Sequence, residues 1–365
     1  MKIKTSNQSA GVSACLGLAL AATVCTTSLP VQAALPDVTA DYNIKTVQPP
    51  DGTTGIMNLF MNDNGMVVIM YCTPTTVGCG DMAIWEDGAW KELLAPMPRP
   101  AARGTLSLYT TPTCPNAFGQ MALCFNNPVI NGAAAGGICL CHHAIYDEGK
   151  YTYIGGYPYY HTRDGQKWYW CISQAMNDLG VITCLAWGEQ TVDALGGTHS
   201  RGLLLNASLS LFELFDPPGS ATTWPAGIND AGMVVGEYFH YTGTEPWQTS
   251  ANPWEGTWHG FLRDTCETYV DLDVPGYPGL TTPLFINNEG ETCGIYGTPY
   301  WTGDLWAPGV QGFLLRNGEF SSFNVPGSSW TYLDVITDSG KLAGAYADQS
   351  GNLYGFIATP KCGRK

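Results

Sequence analysis

The feature that most constrains this chain is a turn sequence that keeps returning. Gly227-Ile228-Asn229-Asp230-Ala231-Gly232 runs into Met233-Val234-Val235-Gly236-Glu237-Tyr238. Phe285-Ile286-Asn287-Asn288-Glu289-Gly290 leads to Gly294-Ile295-Tyr296, and Val335-Ile336-Thr337-Asp338-Ser339-Gly340 leads to Gly344-Ala345-Tyr346. Further copies are Met61-Asn62-Asp63-Asn64-Gly65 and Met176-Asn177-Asp178-Leu179-Gly180, with a degenerate one at Asn116-Ala117-Phe118-Gly119. The anchor glycines at 65, 119, 180, 232, 290 and 340 recur every 50 to 61 residues. Each copy reads as a β-hairpin: an apolar residue enters, Asn or Asp caps a tight turn, Gly supplies the left-handed residue, and a Val/Ile-rich strand leaves. The same Asn-Asp pairs lack the longer acidic loop that calcium sites use.

A second element follows each copy. His259-Gly260-Phe261-Leu262-Arg263-Asp264 and Gln311-Gly312-Phe313-Leu314-Leu315-Arg316-Asn317-Gly318 are the clearest, with weaker versions from Met82, His143, Arg201 and Tyr354. A further strand then ends in turn residues, as in Asp273-Val274-Pro275-Gly276 and Asn324-Val325-Pro326-Gly327. Four short strands per repeat is the pattern of a propeller blade. The last copy stops after its third strand, Tyr354–Thr359, while Tyr42–Val47 near the start is a strand without a hairpin. Joining the two pairs edges that otherwise invite aggregation. The expectation is an all-β, six-bladed β-propeller of four-stranded blades, closed by pairing the N-terminal strand with the C-terminal blade.

Lys2 and Lys4 precede an apolar, small-residue run over Gly11–Val24, and Val31-Gln32-Ala33 fits signal-peptidase specificity. The run is too short to span a bilayer, and the residues before Cys15 and Cys25 do not suit a lipid anchor. The expected organisation is a signal peptide over 1–33, a short linker over 34–41, one propeller domain over 42–360 and a tail over 361–365. Secretion or residence in a periplasm follows, without membrane insertion. Two of the 13 cysteines leave with the signal, and the eleven that stay read first as disulfide formers in an oxidising compartment. Candidate bridges join Cys72 with Cys79, Cys171 with Cys184, and Cys124 with Cys139 or Cys141. Cys114, Cys266, Cys293 and Cys362 have no assigned partners.

The paired motifs resemble the HAF-type extracellular repeats of bacterial exported proteins, with His259-Gly260-Phe261 and His143-Ala144-Ile145 closest to the motif that names them. The resemblance covers most of 42–359 and implies an exported β-propeller. It carries over no activity and no catalytic residue.

Function is expected on the face opposite the Asn-Asp turns, where the loops are long, because variable loops on a rigid scaffold are the usual place for it. They hold Trp187, Trp247, Trp254, Trp258, Tyr300, Trp301 and Trp306, which form the candidate ligand site. Rigid amphipathic rings suit a glycan or a peptide. An exported binding module with an extracellular ligand is therefore the first functional reading. The alternative is a polysaccharide hydrolase or lyase using acids among Glu189, Asp193, Glu245, Glu255 and Asp304. His142, His143, His161, His199, His240 and His259 fall on the same side, but His142 and His143 are adjacent on a strand and point to opposite faces. No motif calls for a metal or cofactor, and no Gly-x-Ser-x-Gly elbow occurs. With 16 basic and 31 acidic residues, a net charge of −15, the chain is a poor nucleic-acid binder.

Overall fold

Asn229 shows how each repeat turns. Its carbonyl accepts the Gly232 N–H at 3.0 Å, its own N–H donates to the Met233 carbonyl at 3.1 Å, and its side-chain Oδ1 accepts the Met233 N–H at 3.0 Å. Gly232 sits at φ 85°, a left-handed conformation that costs glycine little. The same bonding recurs at Asn62, Asn116, Asn177 and Asn287. At the sixth turn Thr337 replaces Asn, and its hydroxyl accepts the Lys341 N–H.

The computed structural model describes residues 34–74, 81–93, 110–126, 141–156, 160–161, 167–188, 200–206, 212–243, 256–297 and 309–361. Leu35–Lys365 form one compact unit. The strands follow one another as antiparallel neighbours. First come β1 (Tyr42–Val47), then β2 (Gly55–Met61), β3 (Val67–Cys72), β4 (Asp81–Glu86) and β5 (Ala89–Glu92). A second sheet holds β6 (Thr110–Pro112), β7 (Met121–Asn126), β8 (Cys141–Asp147) and β9 (Lys150–Gly156). The third has five strands: β10 (Tyr160–His161), β11 (Lys167–Met176), β12 (Val181–Gly188), β13 (Arg201–Asn206) and β14 (Phe212–Phe215). Then come β15 (Ser220–Ile228), β16 (Val234–Tyr241), β17 (Gly256–Arg263) and β18 (Tyr269–Asp271). They are followed by β19 (Thr281–Ile286), β20 (Thr292–Tyr296), β21 (Gln311–Arg316) and β22 (Glu319–Phe323). Last are β23 (Ser328–Ile336), β24 (Leu342–Asp348) and β25 (Leu353–Pro360). The fold is all-β, with blade-like sheets built on a four-strand plan. No helix among the described residues is long and apolar enough to cross a membrane.

β1 completes the last sheet, as expected: it lies antiparallel to β25 with Tyr42 opposite Pro360 and Val47 opposite Gly355. That sheet touches the first through a single parallel bridge, Gly55 to Leu353.

Hydrophobic cores lie between successive sheets. Met82 and Val68 pack with Leu123 and Ala144, and Ala122 and Ile154 pack with Ile182 and Leu203. Ala175 and Phe215 meet Ile228 and Phe261, and Val235 meets Ile286. Leu314 and Phe323 meet Leu333 and Phe356. Ile56 and Leu59 of the first sheet then share a core with Val335 and Ala343 of the last. Phe261, Phe313 and Phe356 hold the same repeat position and are fully buried, each worth about 1.5–3 kcal/mol on burial. The innermost strands bulge, and the second strand makes room there with glycine. A Cβ on Gly344 would lie 2.0 Å from the Tyr332 carbonyl oxygen, beside the bulge between Leu333 and Val335.

Two sequence expectations are corrected. The segment over 34–41 is no free linker. Ser322 donates its N–H to the Pro36 carbonyl at 2.9 Å, Val38 donates to the Ser322 carbonyl at 3.1 Å, and Leu35 packs beside Val274 and Phe313. Pro36–Val38 thus run along the outer edge of β22 before a short 3-10 turn, Thr39–Asp41, leads into β1. The Cys171–Cys184 bridge is absent: Cys184 is a buried free thiol opposite Ser173, and Cys171 lies opposite Ala186. The diagonal register, together with the apolar core around Cys184, explains this. Cys72 is disulfide-bonded. Cys79 and Cys139 lie outside the described residues. Cys124 is buried in β7, opposite His143.

Candidate functional site

The six turns meet around one pocket of about 110 Å³. Their asparagines bond from turn to turn. Asn62 Nδ2 donates to the Asn116 carbonyl at 2.7 Å, Asn116 to Asn177 at 3.4 Å, Asn177 to Asn229 at 3.0 Å, Asn229 to Asn287 at 3.0 Å and Asn287 to Thr337 at 3.1 Å. A second layer runs outside it. The N–H groups of Ala117, Asp178, Asp230 and Asn288 donate to the side chains of Asp178, Asp230, Asn288 and Asp338, at 2.7 to 2.9 Å. Asp338 and Ser339 donate to Asp63, each at 3.1 Å, and Asn64 donates to the Ala117 carbonyl, which returns the layer to its start. Below this rim lie Met61, Met176, Ile228, Ile286 and Ile336. Burial pushes the Asp178 carboxyl up against the opposing Ala117 N–H, and the charges of Asp230, Asp338 and Asp63 push it the same way. Each of these carboxylates already accepts backbone or amide N–H, so this face is braced scaffold.

The sequence-derived site is expected at the opposite strand ends. Trp247, Trp254, Tyr300, Trp301 and Trp306 lie outside the described residues, as do Glu189, Asp193, Glu245, Glu255, Asp304 and His199. Trp187 lies at the loop end of β12, opposite Trp170. Trp258 is 4% exposed. It packs against Trp224 and Phe239, with ring centroids 5.0 and 5.5 Å away. It therefore forms an aromatic floor near the start of β17. His143 is buried, and its Nδ1 meets the Ser173 hydroxyl at 2.9 Å.

Beside that floor lies a relay that sequence reading missed. His259 Nδ1 is 2.6 Å from Asp273 Oδ2, and Nε2 is 2.8 Å from the Thr257 hydroxyl. The Gly260 N–H holds the other Asp273 oxygen at 3.2 Å. Read from its partners, the ring carries its proton on Nδ1 toward the carboxylate, leaving Nε2 to accept from Thr257. Thr257 is exposed, and the exposed His240 ring lies 6.5 Å from that of His259. The signal was in the repeat: the residue before the second-element glycine pairs with the Asp or Asn that precedes x-Pro-Gly. Arg201 pairs with Asp216, His259 with Asp273, and Gln311 with Asn324. Only the His259 version also reaches a hydroxyl on its own strand. A histidine held by a carboxylate can act as a general base toward a neighbouring hydroxyl. Among the described residues no group of three His, Cys, Asp or Glu side chains converges to hold a metal ion.

No family model and no curated protein matches the chain. Among solved structures it is similar to a catalytically inactive virginiamycin B lyase from Staphylococcus aureus with quinupristin, at 12% identity over 87% of this chain and 99% of that one, TM-score 0.42. It is also similar to a gluconolactonase from Xanthomonas campestris, at 12% identity over 88% and 91% of the two chains, TM-score 0.45. A Trypanosoma rangeli sialidase aligns at 8% identity over 87% of this chain and 58% of that one, TM-score 0.49.

Proposed function

We propose that this chain is an exported six-bladed β-propeller of the HAF-repeat kind, closed by β1, that works as a binding module for an extracellular glycan or peptide. Supporting the count are six turns on one pocket, six cores between neighbouring sheets, and hydrogen bonds that return to their starting turn. The N-terminal residues through Ala33 serve as a signal that is removed on export. The observation that carries the binding reading is the Trp258–Trp224–Phe239 aromatic floor, with Trp258 and Phe239 buried, at the strand ends opposite a face tied shut by its own amides. A rigid aromatic base under adaptable loops binds at low entropy cost. Glycan arrays and peptide-library pulldowns with a Trp254→Ala/Trp301→Ala variant test it. Loss of binding is expected, and unchanged binding rejects the face.

The Thr257–His259–Asp273 relay favours one second reading, a hydrolase or lyase acting on polysaccharide at the same face. Incubation with polysaccharide panels decides it: product formation that disappears in His259→Gln supports catalysis, and no product from the unaltered chain removes it.

A further inference from the structure

A groove of about 630 Å³ runs along the outer seam between the first and last sheets, away from the loop-face aromatic floor and from the ring of turns. One wall is β1. The other is the β4–β5 hairpin, where Trp85 and Trp90 meet edge to face with centroids 4.9 Å apart. Trp85 is 45% exposed, an unusual position for so large an apolar ring. Trp90 Nε1 donates to the Gln48 carbonyl at 3.2 Å, which fixes the indole against the connector between β1 and β2. Val67 and Ile357 also line the groove.

The hydrogen-bond parity of β1 shows what its edge offers. Lys361 donates its N–H to the Asp41 carbonyl at 2.8 Å, and the register continues with Asn43 opposite Thr359 and Lys45 opposite Ile357. In an antiparallel ladder the bonded residues alternate, so Asn43, Lys45 and Val47 turn their backbone toward β25, while Ile44 and Thr46 turn theirs outward. Among the described residues β1 pairs with β25 alone. A free edge is a template for another strand. This fold already uses one in that way, because Pro36–Val38 lie along the outer edge of β22. Three residues further on the chain becomes β1 and leaves its own edge open.

We propose that the β1 edge and the Trp85–Trp90 wall bind an extended peptide segment of a protein partner. The segment adds as a strand against Ile44–Thr46 and lays aliphatic or proline side chains on the indoles. Charge fits this occupant. On a chain of net charge −15, Lys45 and Asp51 are the only charged residues among the described ones lining the groove, and they balance. The lining therefore suits uncharged side chains. Backbone pairing supplies affinity and the two rings supply selectivity.

The test pans a random linear peptide library on the purified chain, then measures the enriched, fluorescein-labelled peptide by polarisation. Thr46→Pro removes an outward N–H that the β25 ladder does not use, and Trp85→Ala removes an exposed ring. Each is expected to weaken binding about tenfold or more, about 1.4 kcal/mol, at unchanged melting temperature. Trp254→Ala/Trp301→Ala should bind this peptide as the unaltered chain does, which separates failure here from failure of the loop-face reading. If Thr46→Pro lowers the melting temperature, hydrogen exchange decides, with the Ile44 and Thr46 amides gaining protection when peptide is added. The proposal is overturned if no peptide is enriched, or if both variants bind it normally. It is also overturned if an oligosaccharide array shows binding lost in Trp85→Ala but kept in Thr46→Pro, or if sedimentation shows a dimer that Thr46→Pro dissolves.

Discussion

Asp334 accepts the backbone N–H of Leu59 at 3.0 Å, across 275 residues of sequence, while its other oxygen takes the Asn58 amide at 2.8 Å. Asp334 occupies the bulge of β23 and Leu59 lies in β2, so one buried carboxyl joins the last inner strand to the first. Burial pushes its pKa up to about 7 against those two donors. Asp334→Ala leaves the buried Leu59 N–H and the partly buried Asn58 amide without this acceptor, at a cost of about 2–4 kcal/mol. The native pKa exceeds the ordinary 3.8, so the group's pH-dependent contribution is full below about pH 4 and is lost as pH rises through about 7. Chemical denaturation should therefore show a larger penalty for Asp334→Ala at pH 5 than at pH 8. An equal penalty at both would remove the linkage.

Glu237 should extend the same slope to higher pH. It is buried at the seam with the next sheet, where the Thr282 hydroxyl donates to it at 3.0 Å. Burial pushes its pKa from 4.5 to about 8. Stability tied to the neutral acid is present below about pH 4.5 and lost as pH climbs through 8. Between pH 8 and 9 Asp334 has largely finished titrating and Glu237 has not. Glu237→Gln keeps the acceptor for Thr282 and cannot ionise. Its unfolding free energy should match that of the unaltered chain at pH 5 and exceed it by about 1–3 kcal/mol at pH 9. A variant that loses as much stability as the parent over that interval would assign the slope elsewhere.

The asparagine layer makes a prediction about cooperativity. Asn229→Ala removes the acceptor of the Met233 N–H and the donor to the Asn287 carbonyl, all buried or partly buried. The expected loss is about 2–4 kcal/mol. Leu179→Ser at a neighbouring turn tip, where the side chain is 69% exposed, should change stability by less than about 0.5 kcal/mol. Comparable losses in thermal melts would mean that these turns gain nothing from one another.

The order of strands and the closure by Tyr42–Val47 were legible because hairpin chemistry is local: Asn, Gly and a β-branched run state the turn and the strand that follows. What the asparagines do beyond their own turns was not legible. Asn229 Oδ1 caps its own hairpin, as the sequence suggests, but its Nδ2 bonds 58 residues away. Leu35–Val38 has no period, so its docking on β22 left no trace. Nothing in the sequence sets Trp85 and Trp90 apart, because the groove arises only when β1 is brought beside them. For Trp258, its place in the loop-side aromatic set was legible, but its burial against Phe239 and Trp224 was not.

His259 separates scaffold from chemistry. Its bond to Asp273 occupies the place that an amide pair, Gln311 with Asn324 at 3.2 Å, fills in the next repeat. Glutamine is therefore an acceptable structural replacement, whereas alanine leaves Asp273 with the Gly260 N–H alone among those partners. His259→Gln should keep stability within about 1 kcal/mol, and His259→Ala should lose about 1–3 kcal/mol. Glutamine cannot take a proton from Thr257 at neutral pH, so any hydrolytic activity of the unaltered chain should vanish in His259→Gln while its thermal melt stays in place. Activity that survives this substitution would leave the histidine as a latch, equivalent in role to Arg201 and Gln311.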